Sequence, residues 1–193
     1  MPTSETHGNF TFTRTGVDGV FVVDCAAFED PRGSFMETYK RPDFVAGGID
    51  AEFVQDNQSL SVRGVLRGLH FQIEHPQAKL VRVIEGEVFD VCVDLRPGSP
   101  TFGSWEGVVL SAENRRQFFV PRGFAHGFCV LSERAIFAYK CDDVYHPNDE
   151  GGIAWDDPDL AVDWHLPEGV DPILSEKDRH HGTFAAWRAE RGL

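Results

Sequence analysis

Between residues 53 and 145 the chain is a succession of short alternating runs, LVRVIE, EVFDVCVDL, SWEGVVLS, QFFV, GFAHGFCVLS and AIFAYKC, with Gly, Pro, Asn or Ser in most of the breaks between them. A period of two is the strand signature, because successive side chains point to opposite faces. No stretch here sustains the 3.6-residue period of a helix. Short strands with no helices between them bury their apolar faces only against one another, so the expected class is all-β, a sandwich or barrel. Glu85-Gly86-Glu87 separates two alternating runs and predicts a hairpin. Residues 1–9 are polar and read as a frayed end. Residues 10–13 and 20–24 read as short strands around Gly16, Asp18 and Gly19, giving an extended N-terminal strand region. Short peripheral helices are expected over residues 40–51, ended by Gly47-Gly48, and over the tail 183–191.

Length and composition set the bounds. A chain of 193 residues with 41% hydrophobic and 25% charged residues is sized for a single domain over 1–193 with a real core. A net charge of −13 disfavours nucleic acid and anionic membrane as partners, since both reward a basic surface. An anionic small ligand is still compatible, provided that a few Arg and Lys converge locally. No run approaches the about 18 apolar residues of a membrane span. MPTSETHGNF has neither the basic nor the apolar region of a signal peptide. Cys25, Cys92, Cys129 and Cys141 form no CxxC pair, and Cys92 and Cys129 sit in apolar runs. They read as thiols of a reducing compartment, so a cytoplasmic protein is expected.

Chemistry concentrates in residues 64–79, GVLRGLHFQIEHPQAK, where Arg67, His70, Gln72, His75 and Lys79 sit among apolar residues. Arg67 and Leu69 share a strand face only if the alternation is unbroken. Gly68 between them marks a bulge or a close ligand approach, which leaves the facing open. A second polar stretch, EDPRGSFMETY, offers Arg32 at a turn and Glu37 just beyond it. It is either a binding loop or an exposed turn with solvated charges.

Several motifs recur in one order: DPRGSFME, FVQDNQSLS, VLRGLHFQ, KLVRVIEGEVFDVCVDLR, SPTFGSWEGVVLS, PRGFAHGF, YKCDDVYHP, GIAWDDPDL and LSEKD. Together they closely resemble the dTDP-4-dehydrorhamnose 3,5-epimerase family, from about residue 30 to residue 178. The resemblance implies a cupin, a double-stranded β-helix or jelly roll. It also implies epimerisation of a nucleotide-linked 4-keto-6-deoxyhexose at C3 and C5, with no cofactor and no metal. On it, His70 matches the base, Asp178 the residue that holds the base, Tyr139 the acid on the opposite face, and Lys79 the cation for the enolate oxygen. Matching substrate-binding positions are Arg32, Glu37, Gln55, Asn57, Arg67, His126, Tyr145, Glu150 and Lys177. It further implies a homodimer that exchanges N-terminal strands, over about residues 10–24, with one chain contributing to the other's site.

Each position also has an ordinary reading. A lone strand histidine is more often a satisfied, half-buried one, Tyr139 by itself a core tyrosine, and Lys79 an exposed strand end. Among rival classes, a metal-dependent cupin needs two His at two-residue spacing, and His70-Phe71-Gln72 lacks the second. His126 would serve as a later ligand, but His75 is off the spacing. A non-catalytic sugar-binding cupin should lack at least one of His70, Tyr139, Lys79 and Asp178. A mono-epimerase or ketoisomerase on a related nucleotide sugar is the alternative within the enzyme class. Ser34, Val144 and His165 depart from the family pattern and bear on nucleotide identity and on the C3/C5 outcome.

Overall fold

The computed structural model describes residues 3–166 and 168–193. The N-terminal strands are β1 (Ser4–His7), β2 (Phe10–Arg14), β3 (Phe21–Cys25), β4 (Ala27–Asp30) and β5 (Gly33–Met36), followed by helix α1 (Arg41–Ala46). Then come β6 (Gln55–Val62), β7 (Leu66–Gln72), β8 (Lys79–Glu85), β9 (Glu87–Asp94) and β10 (Trp105–Ser111). The chain continues with β11 (Gln117–Val120), β12 (Phe124–Val130), β13 (Arg134–Cys141) and β14 (Glu150–Gly152), and ends in a 3-10 turn (Asp178–His180) and helix α2 (Phe184–Glu190).

A seven-stranded sheet, β1-β2-β3-β11-β8-β13-β6, faces a five-stranded one, β10-β9-β12-β7-β14, with β4-β5 as a separate hairpin. This is the double-sheet jelly roll of a cupin. Alternation explains the interior. Val81 and Val83 of β8 and Phe137 of β13 meet Val88 and Cys92 of β9 and Phe128 and Val130 of β12 between the sheets. The opposite faces are buried too. Phe89, Val91 and Val93 pack against Ile153, Leu160, Trp164 and Phe184 of the C-terminal segment. The Pro- and Asp-rich stretch after His146 thus covers the outer face of the five-stranded sheet. Phe10, Phe12, Phe44 and Ile49 form a third cluster on the seven-stranded sheet. In it the Phe44 ring of α1 meets Phe10 and Phe12 edge-on at 5.0 and 5.1 Å.

Three expectations need correction. The hairpin at Glu85-Gly86-Glu87 does not form: β8 and β9 belong to different sheets, and the chain turns a corner at Gly86. Gly86 has φ +80°, and a Cβ on it would meet the Arg134 carbonyl at 2.1 Å. Alternation reports which face of a strand is apolar but not which strand it pairs with. Here the two apolar faces meet across the interior and not side by side. Second, residues 4–7 are not frayed but form β1, in register with β2; residues 1 and 2 lie outside the described residues. Third, the helix expected over 40–51 is only one and a half turns or so, Arg41–Ala46. Within the chain, β3 is hydrogen-bonded to β11. The C-terminal helix agrees with expectation, and Thr183 Oγ1 caps it by accepting from Ala186 N at 3.1 Å.

Candidate active site

The interior is apolar at one end of the sandwich and polar at the other. At the polar end lies a cavity of about 190 Å³ lined by Arg67, His70, Lys79, His126, Phe137 and Tyr139, among others. Both sheets supply its walls: β7 and β12 on one side, β6, β8 and β13 on the other.

The facing of β7 is decided by Gly68. In the β7–β12 ladder His126 pairs with His70 and Phe128 with Arg67, so β7 carries one extra residue across that interval. This is a β-bulge, as Gly68 had suggested. Gly68 has φ +132°, and a Cβ there would meet Gly127 Cα at 2.6 Å. The extra residue brings Arg67 and His70, three apart, onto the same cavity wall, while Leu66 and Leu69 stay in the outer apolar cluster. A regular strand would have turned Arg67 and His70 to opposite faces.

His70 is held from behind. Its Nε2 hydrogen-bonds Asp178 Oδ1 at the start of the 3-10 turn. Asp178 is buried, and its Oδ2 accepts from Ser175 Oγ at 2.7 Å. Burial pushes this carboxyl up, but the His70 and Ser175 hydrogen bonds outweigh it and bring its pKa to about 2. A permanently ionised Asp178 fixes the proton on His70 Nε2, which leaves Nδ1 as the nitrogen able to act as a base.

Lys79 is no exposed strand end. It sits on the inward face of β8 with Val81 and Val83. Desolvation lowers its pKa, and the negative charge of Asp90, among neighbouring groups, opposes that. Asp90 is fully buried on β9 and accepts from His126 Nε2 at 2.9 Å. Its own pKa is raised by burial, against the pull of His126 and Lys79. Tyr139 stands on β13 across the cavity from His70, and burial raises its phenol pKa, partly offset by Arg67. A phenol held neutral is a proton donor.

Of the other expected residues, Gln55 and Asn57 share the inward face of β6, joined by a 3.1 Å hydrogen bond. Gln55 Oε1 also accepts from the backbone N of Tyr145, whose ring is exposed. Arg67 donates to Ser61 Oγ at 3.2 Å. Glu150 and Lys177 form an ion pair with each other. Arg32 and Glu37 are not brought to the cavity by their own chain. Arg32 is 90% exposed on the β4–β5 hairpin and paired with Asp30, while Glu37 accepts from Asn9. Of the expected substrate residues, Arg67 and His126 thus line the cavity, while Arg32 and Glu37 do not.

Sequence reasoning missed Asp90, Ser175 and His181. Asp90 had a signal: it is an acid on the same face as Val88 and Cys92, in a strand apolar on both faces, so it needs a buried partner. Ser175 and His181 lie in the irregular C-terminal segment, where no period predicts facing. His181 packs edge-on to His70, with ring centroids 5.5 Å apart.

Residues 14–186 match a family profile described as dTDP-4-dehydrorhamnose 3,5-epimerase. A Methanothermobacter thermautotrophicus protein named dTDP-4-dehydrorhamnose 3,5-epimerase is 57% identical over 89% of this chain and 92% of its own length. A Pseudomonas aeruginosa protein of the same name is 55% identical over 90% of this chain and 95% of its own. Among solved structures, a Legionella pneumophila dTDP-6-deoxy-D-glucose-3,5-epimerase in complex with dTDP-4-keto-L-rhamnose superposes with a TM-score of 0.89. It is 49% identical and covers 94% of this chain and 96% of its own.

Proposed function

The chain belongs to the dTDP-4-dehydrorhamnose 3,5-epimerase family, and from that premise we propose that it converts dTDP-4-keto-6-deoxy-D-glucose to dTDP-4-keto-L-rhamnose by inversion at C3 and C5. One observation carries the mechanism: His70 and Tyr139 line opposed walls of one cavity, on different sheets, with Lys79 also lining it.

Both carbons lie α to the C4 ketone. His70 Nδ1 removes a proton from C3 or C5, and the electron pair moves into the C3–C4 or C4–C5 bond and onto the C4 oxygen. Asp178 stabilises the imidazolium that forms. The Lys79 ammonium meets the negative charge as it develops on oxygen, where a desolvated cation is worth most. Tyr139 delivers its hydroxyl proton to the other face of the carbon, which inverts the centre. Arg67 is suited to the diphosphate through its fork of donors. Gln55 and Asn57 are suited to base edges or sugar hydroxyls, and His126, Tyr145, Glu150 and Lys177 complete the binding set.

Arg32 and Glu37 belong to that set only if they reach a cavity other than their own. The protein is therefore a homodimer in which the N-terminal strand region of one chain contributes to the partner's site. What supports this is the β4–β5 hairpin itself, which stands outside both large sheets with Phe28 and Phe35 exposed. The four unpaired cysteines agree with a reducing, cytoplasmic compartment.

Incubating the 4-keto sugar nucleotide with the enzyme in D₂O tests the mechanism. Deuterium is expected at both C3 and C5 by NMR, and His70→Ala is expected to abolish its incorporation. Label at C3 alone would make the protein a mono-epimerase. Exchange at the wild-type rate in His70→Ala would remove His70 as the base. Turnover of UDP-, CDP- and GDP-4-keto sugars in parallel tests the choice of dTDP.

A further inference from the structure

The proposed reaction leaves one group beside the dyad unused. His181 is only 9% exposed and stands 3.5 Å, Nε2 to Oδ1, from Asp178. It is wedged against Gly152, where a Cβ would meet its Cε1 at 2.2 Å. Yet among the described residues its Nε2 has no hydrogen-bond partner. A buried imidazole nitrogen aimed at a carboxylate oxygen is poorly satisfied unless something positive stands between them. That same oxygen also bonds His70 Nε2. The three ligand atoms, two imidazole nitrogens and a carboxylate oxygen, lie within 4.8 Å of one another.

We propose that His70, Asp178 and His181 form a Zn²⁺ site whose occupation inhibits the enzyme. Ligand bonds of about 2.0–2.2 Å in a tetrahedron put ligand atoms about 3.3–3.6 Å apart. The His181–Asp178 separation of 3.5 Å is already that spacing. The His70–Asp178 hydrogen bond has to open and the two imidazoles have to settle at the same spacing, for which His70, 36% exposed on the cavity wall, has room to swing. Of the three, His70 alone lines the cavity, so its swing is also what admits the ion. Two imidazoles with one carboxylate suit Zn²⁺ and do not suit Mg²⁺, which prefers an all-oxygen octahedron.

Inhibition follows from the tautomer. A neutral imidazole has one N–H and one lone pair. When the ion takes the lone pair of Nε2, the proton of His70 moves to Nδ1, and the nitrogen that faces the sugar can no longer accept one. This half of the inference rests on His70 being the base; the binding half does not.

The two halves are separated by measuring binding and exchange independently on the full chain, stripped with EDTA. Competition against a chromogenic chelator should show one Zn²⁺ per chain. Deuterium exchange should stop with the ion and return on adding EDTA, and Mg²⁺ should do neither. His181→Gln and His181→Ala should keep exchange, which also shows that they fold, while binding zinc at least about tenfold more weakly and losing its inhibition. Unchanged zinc affinity in both variants would overturn the site and move the ion to other imidazoles, such as the His75–His146 pair stacked at 4.0 Å. Zinc bound through His181 with exchange unimpaired would overturn the inhibitory half. A wild-type chain without exchange would remove the epimerase reading and leave the binding result to decide the site alone.

Discussion

Gly68 shows how much one residue decides here. Its positive φ and its contact with Gly127 insert the extra residue that turns Arg67 and His70 to one wall. Gly68→Ala puts a methyl into backbone with nowhere to go, and is expected to destabilise the fold by more than about 1 kcal/mol. The check is the urea midpoint at constant slope, with exchange activity falling alongside. Tyr139→Phe removes the proposed proton donor and leaves the opposite wall intact. Net inversion should fall by about 10²-fold or more, while washout of label from one face persists; equal loss of both would show that Tyr139 is not the face-specific acid. Lys79→Met should lower kcat by about 10²–10³-fold with little change in KM, because the charge it meets exists only once the proton has left.

At the scale of elements, the bulged β7 builds one wall of the cavity, and the β4–β5 hairpin is the piece on which the proposal of a shared site turns. Arg32 does not line the His70 cavity of its own chain, which makes complementation a sharp test. An Arg32→Ala chain and a His70→Ala chain should each be inactive, or nearly so. Mixed and re-equilibrated in equal amounts, random pairing should restore about a quarter of the sites, since half the dimers are mixed and each holds one intact site. No recovery would mean that Arg32 acts within its own chain or not at all. The hairpin predicted at Gly86 failed for a related reason. Two adjacent alternating runs contain no record of whether they lie side by side or face to face, and the corner at Gly86 is set by what Val81, Val83, Val88 and Cys92 bury together.

For the whole molecule, the buried carboxylates set the acid limit. Asp178 and Asp94 both have pKa values lowered to about 2, in each case against the effect of burial. His70 and Ser175 do this for Asp178, and Arg96, Ser99 and Thr101 for Asp94. A depressed pKa in the folded state gives stability that is complete above the unfolded value near 4 and is lost as pH falls through about 2. The melting temperature should therefore decline from pH 4 toward pH 2, followed by near-UV circular dichroism. Asp94→Asn should lower the plateau and flatten that acid limb; an unchanged limb would mean that Asp94 contributes no linkage. Asp90 is different: burial raises its pKa, so it does not add to this decline in the same range.

Much was legible in the sequence because it is local. Alternation yielded the all-β class. Long motifs in one order identified the family, and with it His70, Tyr139, Lys79 and Asp178 as candidates before any geometry was known. What only the tertiary structure decided is non-local. The bulge depends on Gly127 of another strand, Asp178 reaches His70 across 108 residues of chain, and which residues line the cavity follows from which sheet each strand joined. Side-chain period is a property of a single strand, whereas pairing, corners and the meeting of distant polar groups are settled by burying both sheets' apolar faces at once.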